Sequence, residues 1–272
     1  MECGIIYLNS LLRSSILFAA ETMYDIKEIE YRKLERIEED LLRHIFKTER
    51  GCPIYMLYCE SGHLPARFYI KRIKLVFYQY ILTQKEDSLL YTFLMAQKEE
   101  PRRGDWYSEI NNIKEEFNII SSEEEIKRIP PKVFKNIVKK GSEEAAIQYL
   151  KKLQVKGTKG VKIIYDSLDI QDYLKPCANI TIEEQRYLFS LRSEMNPLKA
   201  NFSQNRNITR TFCIEKCSVE LDNEHLVWCQ YLNKDSEYKY EDLLNGSLKD
   251  KIEVFKQAKE NEKQRCEEIN TL

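Results

Sequence analysis

The sequence predicts a mainly α-helical protein. Three observations carry that expectation. Gly and Pro number only 8 and 7 in 272 residues, too few for a loop-rich or all-β chain. Leu, Ile, Glu and Lys dominate, and these straight or simply branched side chains suit helices. Apolar residues recur at three- and four-residue steps through charged segments, which is the helical period. The length suits one large or two small domains.

In chain order, Leu11 to Tyr24 reads as a helix burying Leu11, Leu12, Ile16, Leu17 and Ala20. Asp25 is placed to cap the next helix, from about Ile26 to Thr48. There Ile26, Ile29, Leu34, Ile37, Leu41 and Ile45 form the expected buried stripe, with charge between them. Gly51-Cys52-Pro53 ends it. A short piece over Ile54–Glu60 stops at Ser61-Gly62-His63-Leu64-Pro65. Ala66–Thr83 reads as an amphipathic helix with Ile70, Ile73, Phe77, Tyr80 and Ile81 inward. Its other face carries Arg67, Lys71, Arg72 and Lys74, with no acid until Glu86. A helix over about Ser88–Lys98 follows. Asp105 then caps one carrying Trp106, Ile110, Ile113 and Phe117. Ser121-Ser122 before Glu123-Glu124-Glu125 is a helix-start pattern, broken at Pro130-Pro131. Gly157-Thr158-Lys159-Gly160 reads as a flexible break. Thr181-Ile182-Glu183-Glu184 is a capping box opening a helix to Met195. Residues 235–272 are highly charged, with a helical pattern through Leu248, Ile252 and Phe255. No internal repeat recurs at a fixed period.

Two features point to function. Cys213 and Cys217 are followed, after seven mostly polar residues, by His225 and Cys229. The first pair can form a ligand turn. The second pair is four apart, so a short helix puts both on one face. Four N and S ligands in this pattern suit a tetrahedral Zn2+ site, which would be closed and structural rather than catalytic. The competing reading is buried thiols and a hydrogen-bonded histidine. The second feature is the span 127–162, with eleven Lys/Arg against Glu143 and Glu144, or 11 − 2 = +9. Lysines clustered on helices neutralise phosphates and release counterions. The competing reading is a solvated face balanced by acids elsewhere.

Other signals are weak or missing. The chain has net charge -1, so it has no overall attraction for nucleic acid or membrane. No apolar run is long enough to span a bilayer, and no signal peptide is apparent. Cys3, Cys52, Cys59, Cys177 and Cys266 show no disulfide framework, which suits a cytoplasmic or nuclear protein. No Asp-Asp pair, phosphate-binding Gly-rich loop or dinucleotide fingerprint occurs, so the chain is not expected to be an enzyme. Cys52, Cys59 and His63 lack a fourth ligand and read as core thiols and a turn histidine. His44 reads as a surface residue.

The ordered words of the sequence resemble the region that follows the reverse-transcriptase core in non-LTR (LINE-type) retrotransposon polyproteins. They include Tyr7-Leu8-Asn9-Ser10-Leu11-Leu12, Leu64-Pro65-x-Arg67-Phe68-x-Ile70-Lys71 and Glu86-Asp87-Ser88-Leu89-Leu90-Tyr91. Arg103-Gly104-Asp105-Trp106, Phe189-x-Leu191-Arg192 and Glu224-His225-Leu226-x-x-Cys229 follow. The resemblance implies a helical thumb-like extension over 1–120 and a basic helical segment or linker over 121–178. It further implies a helix plus Cys-Cys-His-Cys module over 179–234 and a charged helical tail over 235–272. The matching zinc ligands would be Cys213, Cys217, His225 and Cys229. The chain departs from the family by having Ile214-Glu215-Lys216, three residues instead of two, between the first cysteines.

The implied role is non-catalytic binding of template RNA or target DNA beside a polymerase core. Arg67, Lys71, Lys74, Lys132, Lys135, Lys139, Lys140, Lys151 and Lys152 are the candidate phosphate contacts. The alternatives are a helical protein-interaction module, using the apolar stripes of 26–48 and 70–81, or an inactive transposon relic that keeps a structural zinc site.

Overall fold

The structure, a computed structural model, describes residues 2–48, 50–102, 104–157, 163, 165–193, 225, 242 and 245–270. It is mainly helical, and the described residues contain no strand.

The N-terminal strap is helical without interruption from Glu2 to Ile16. Helix α1 (Glu2–Tyr7) runs into a π-helical turn, Leu8–Leu12, then α2 (Arg13–Ile16) and a 3₁₀ turn, Ala20–Thr22. The single helix expected over Leu11–Tyr24 is therefore broken. The break comes at Ala19, whose φ of 55° is left-handed and cannot continue a helix. Leu11 is exposed, whereas Leu17 and Ala20 are buried.

Helix α3 (Glu28–Phe46) is capped by Lys27 rather than Asp25, and Asp25 sits at φ 50°. The expected stripe is only partly inward: Ile26, Leu34, Leu41 and Ile45 pack half-buried against the core, and Ile29 and Ile37 do not. Ile29 is 64% exposed and Ile37 44%, whereas Tyr31, Glu35, Glu38, Glu39, Leu42 and Phe46 are buried. The glutamates can face inward because arginines from other elements meet them there.

Helix α4 (Ile54–Ser61) is buried nearly all round and stops at Gly62, φ 64°. A β-carbon there would also lie 2.4 Å from the Ile170 backbone nitrogen, so only glycine fits. Helix α5 (Ala66–Leu82) is the hub. It packs against α3, the 3₁₀ turn at 20–22, α6 (Leu89–Glu99), α7 (Trp106–Glu116), α8 (Glu123–Arg128) and α9 (Pro131–Gly157). With neighbours on several sides, α5 buries Phe68, Ile70, Leu75, Tyr78, Ile81 and Leu82, but Tyr80 stays exposed.

The polar starts of these helices lie where the sequence puts them. The Ser88 hydroxyl accepts from the Tyr91 N–H, and Asp105 Oδ1 accepts from the Ser108 N–H at 2.7 Å. Ser122 with Glu125, and Thr181 with Glu184, form reciprocal capping boxes. Pro130 ends α8, but Pro131 opens α9, because the first helical position needs no N–H. The 27 residues of α9 make a rod roughly 40 Å long at about 1.5 Å per residue. Its inner face carries Phe134, Val138, Ala145, Ala146 and Leu150. Gly141 lies flush against the end of α7, where a β-carbon would be 2.7 Å from the Phe117 carbonyl oxygen.

Two 3₁₀ turns, Asp172–Leu174 and Pro176–Ala178, lead into α10 (Ile182–Arg192). Helix α11 (Leu248–Asn270) packs on the first of these turns. One buried cluster runs from Leu8 through α4, α5, α9 and α10 to Ala258. Among the described residues, all four sequence ranges contribute to this shared core. No helix among them is long and apolar enough to cross a membrane.

Candidate nucleic-acid interface and buried ion clusters

Helix α9 divides its residues cleanly. While its inner face fills the core, Lys132, Lys135, Lys139, Lys140, Lys151 and Lys152 are all exposed. Steps of three and four put Lys132, Lys135 and Lys139 on one stripe. Lys140 and Lys151 are eleven apart, close to three full turns, and share a second. From Lys132 to Lys152 the row covers roughly 30 Å of a straight helix.

The carboxylates near this row hold it weakly. Lys139 and Lys140 each reach a glutamate one turn on, Glu143 and Glu144, at 3.8 Å. Lys151 reaches the exposed Asp166 at 3.3 Å. Exposed pairs of this kind contribute about 0–1 kcal/mol, so a phosphate can displace them. Among the described residues, Lys132, Lys135 and Lys152 form no ion pair with a carboxylate.

The other predicted basic face is corrected. Arg67 and Lys74 are buried, and the cations of α5 turn towards acids on neighbouring helices. Arg67 Nε donates to Glu35 Oε1 at 2.5 Å, and its terminal nitrogens reach Glu28 at 2.8 and 3.0 Å. Its guanidinium lies over the rings of Tyr149 and Tyr31, 4.6 and 5.6 Å from their centroids. The Arg67 hydrogen bond and charge hold the Glu28 carboxyl below its usual range, although burial opposes this. Lys74, 0% exposed, donates to Glu109 at 2.6 Å. Burial is the main influence on its ammonium and lowers its pKa, against the pull of Glu109. Lys71 donates to Glu116, also at 2.6 Å. These three side chains bind the helices to one another and do not present a cationic surface.

The sequence reading missed two further ion clusters. At the first, Arg13 donates to Glu38 Oε1 from Nε at 3.1 Å and from a terminal nitrogen at 2.6 Å. The same terminal nitrogen lies 2.7 Å from His63 Nε2 and donates to the Leu64 carbonyl. Glu38 Oε2 accepts from the Ala66 N–H at 2.8 Å. In the second cluster Glu60, fully buried, accepts from Arg192 at 2.8 and 3.0 Å and from Tyr173 at 2.8 Å. Tyr165 donates to it as well. Burial is the main reason why both phenols resist ionisation, reinforced by the Glu60 charge. The only sequence signal for the first cluster is a set of acids spaced by seven and three residues, 28, 35 and 38, and the second cluster, around Glu60, has none. That spacing also suits a solvated face.

Cys52 and Cys59 are free, buried thiols, and burial pushes both pKa values up to about 12. They are therefore poor nucleophiles. His63 belongs to the Arg13–Glu38 cluster, and His44 is exposed.

Of the proposed zinc ligands, Cys213, Cys217 and Cys229 lie outside the described residues. His225 is described and is 3% exposed. Among the described residues no group of three or more His, Cys, Asp or Glu side chains is arranged to hold a metal ion.

No family model, curated protein or solved structure matches this chain.

Proposed function

We propose that the chain is a non-catalytic nucleic-acid-binding segment that works beside a reverse-transcriptase core, contacting RNA or DNA through the outer face of α9. The observation that carries this reading is the set of six exposed lysines along a rod whose inner face is packed into the core. A rigid cationic edge of this length meets several phosphates without ordering any backbone on binding. The resemblance of the sequence words to the region after a retrotransposon polymerase core supports the choice of partner. Cys213, Cys217, His225 and Cys229 would hold one structural Zn2+.

The test is affinity for a labelled RNA and a nicked DNA duplex across a salt series. For duplex DNA the logarithm of affinity should fall with the logarithm of salt by about 0.9 per phosphate neutralised. Replacing Lys132, Lys135 and Lys139 with alanine should lower that slope by roughly two to three. Salt-insensitive binding, or a triple variant that binds as the wild type does, rejects the reading.

A second reading, a helical protein-interaction module, is favoured by a groove of about 390 Å³ between the strap and α5–α7. Tyr24, Phe77, Leu90, Phe93 and Trp106 line it, and Tyr24 and Phe93 are largely exposed. Size-exclusion elution that shifts with protein concentration would support this reading over the first.

A further inference from the structure

Arg13 is the only Lys or Arg in residues 1–26. It supplies the ionic attachment of the strap to the helical body. Its guanidinium is buried against Glu38 of α3, the ring nitrogen of His63 and the Leu64 carbonyl, and lies 4.5 Å from the centroid of the Tyr69 ring. Apolar anchors on either side, Ile5, Leu8, Leu17 and Ala20, hold the rest of the strap down.

His63 Nε2 faces two groups at once, Arg13 at 2.7 Å and Glu38 Oε1 at 3.1 Å. Arg13 has no lone pair to offer, so the contact is favourable only when Nε2 is unprotonated and accepts. The proton of the neutral ring then sits on Nδ1, which is buried and has no hydrogen-bond partner. Around the imidazole the titratable and charged groups are Arg13 from the strap, Glu38 from α3 and Tyr58 from α4. The Tyr58 ring stacks on His63 at 6.0 Å, while its hydroxyl donates to the Glu35 carbonyl. From α5, the Ala66 N–H meets Glu38 and the Tyr69 ring meets Arg13. The cluster therefore holds one anion, one cation and a neutral ring.

We infer that His63 is a proton-operated latch for the N-terminal strap. A proton arriving at Nε2 turns the Arg13 contact into donor against donor and leaves two cations to share Glu38. His63 is fixed at the Gly62–Pro65 corner, whereas Arg13 is carried by the helical strap, whose outer face is exposed. The protonated imidazole therefore keeps Glu38, Arg13 leaves for solvent, and the strap lifts with it. Lifting uncovers the apolar surface that Leu8 and Leu17 cover, which includes Leu34 and Leu41 of α3. Burial, the largest influence on the ring, and the Arg13 charge both favour the neutral state at neutral pH, against the pull of Glu38.

The experiment is hydrogen exchange of the full chain between pH 7.5 and 5.5, corrected for intrinsic rates, in wild type and His63→Gln. In wild type, opening of residues 2–22 should rise as pH falls below about 6.5, by at most about tenfold per pH unit, the limit for a single linked proton. α5 should stay protected throughout. His63→Gln, which cannot take up the proton, should show no such rise. Equal strap exchange in the two proteins, or α5 opening together with the strap, overturns the inference. If the variant does not fold, the imidazole resonances of the wild type decide, since the chain has only 3 histidines. Proton uptake by His63 that tracks strap opening supports the latch, and a His63 still neutral after the strap has opened overturns it.

Discussion

Glu60 and Arg192 show how much one residue pair holds in this protein. They are 132 positions apart, and both are essentially fully buried. Together they join α4 to α10, while Tyr165 and Tyr173 tie the intervening chain to the same carboxylate. A buried pair gains little over an apolar pair, but removing one partner strands a charge at a cost of about 3–5 kcal/mol. Glu60→Gln should therefore lower the unfolding free energy by that amount in urea melts, and loss of under about 1 kcal/mol would count against the role. His63 leads to a pH dependence of the same kind. Its folded pKa is depressed below the ordinary value of 6.5, so the unfolded chain binds the proton first. Its contribution is complete above about pH 6.5 and is lost as pH falls below it. Glu38 is also depressed, from 4.5: burial opposes this, and the Arg13 charge and hydrogen bond hold the carboxyl ionised. Its contribution is lost only at still lower pH. Urea midpoints should thus fall in two stages on acidification, and His63→Gln should remove the upper one.

At the scale of the element, α9 has two faces under different demands. Its lysine row must stay solvated, and its inner face must lie flush against the core. Gly141 shows which demand wins. By helix propensity alone, Gly141→Ala would stabilise the helix by about 1 kcal/mol. The added β-carbon would sit 2.7 Å from a backbone oxygen of Phe117, which has no flexible end to move aside. Overpacking of this kind costs about 1–3 kcal/mol, so the variant should be less stable. A more stable Gly141→Ala in urea titration would show that the α7–α9 contact gives way. On α8, Ser122 accepts from the Glu125 N–H while Glu125 accepts from the Ser122 N–H. Ser122→Ala should cost about 0.5–2 kcal/mol by the same measurement.

For the whole molecule, the distribution of charge says more than its sum. A net charge of -1 suggests no partner, yet the acids and bases are sorted in space. Glu28, Glu35, Glu38, Glu60 and Glu109 are spent on internal cations, and the lysines of α9 are left outside. Raising salt should therefore weaken nucleic-acid binding steeply while changing stability little, since the buried pairs are screened far less. If the Cys213–Cys217–His225–Cys229 set holds metal, purified protein should carry about one zinc per chain, and Cys213→Ser and Cys229→Ser should each lose it. Metal-free, well-folded wild type would leave the nucleic-acid reading resting on α9 alone.

The sequence by itself determined the helical class and most helix starts, and it supplied the two motifs on which the proposed function rests. These signals are local. A cap, a proline at the first helical position or a period of 3.6 is written within a few residues of where it acts. It also marked Lys132, Lys135, Lys139, Lys140, Lys151 and Lys152 as one basic span, and the structure put them on a single helix. Which faces are buried was decided only by the tertiary structure. The isoleucine stripe of α3 looked like core, but Ile29 and Ile37 face out because Glu35 and Glu38 find Arg67 and Arg13 inside. Those partners lie 32 and 25 residues away in sequence. The burial of a charge depends on whether an opposite charge meets it in space, and no local pattern records that meeting.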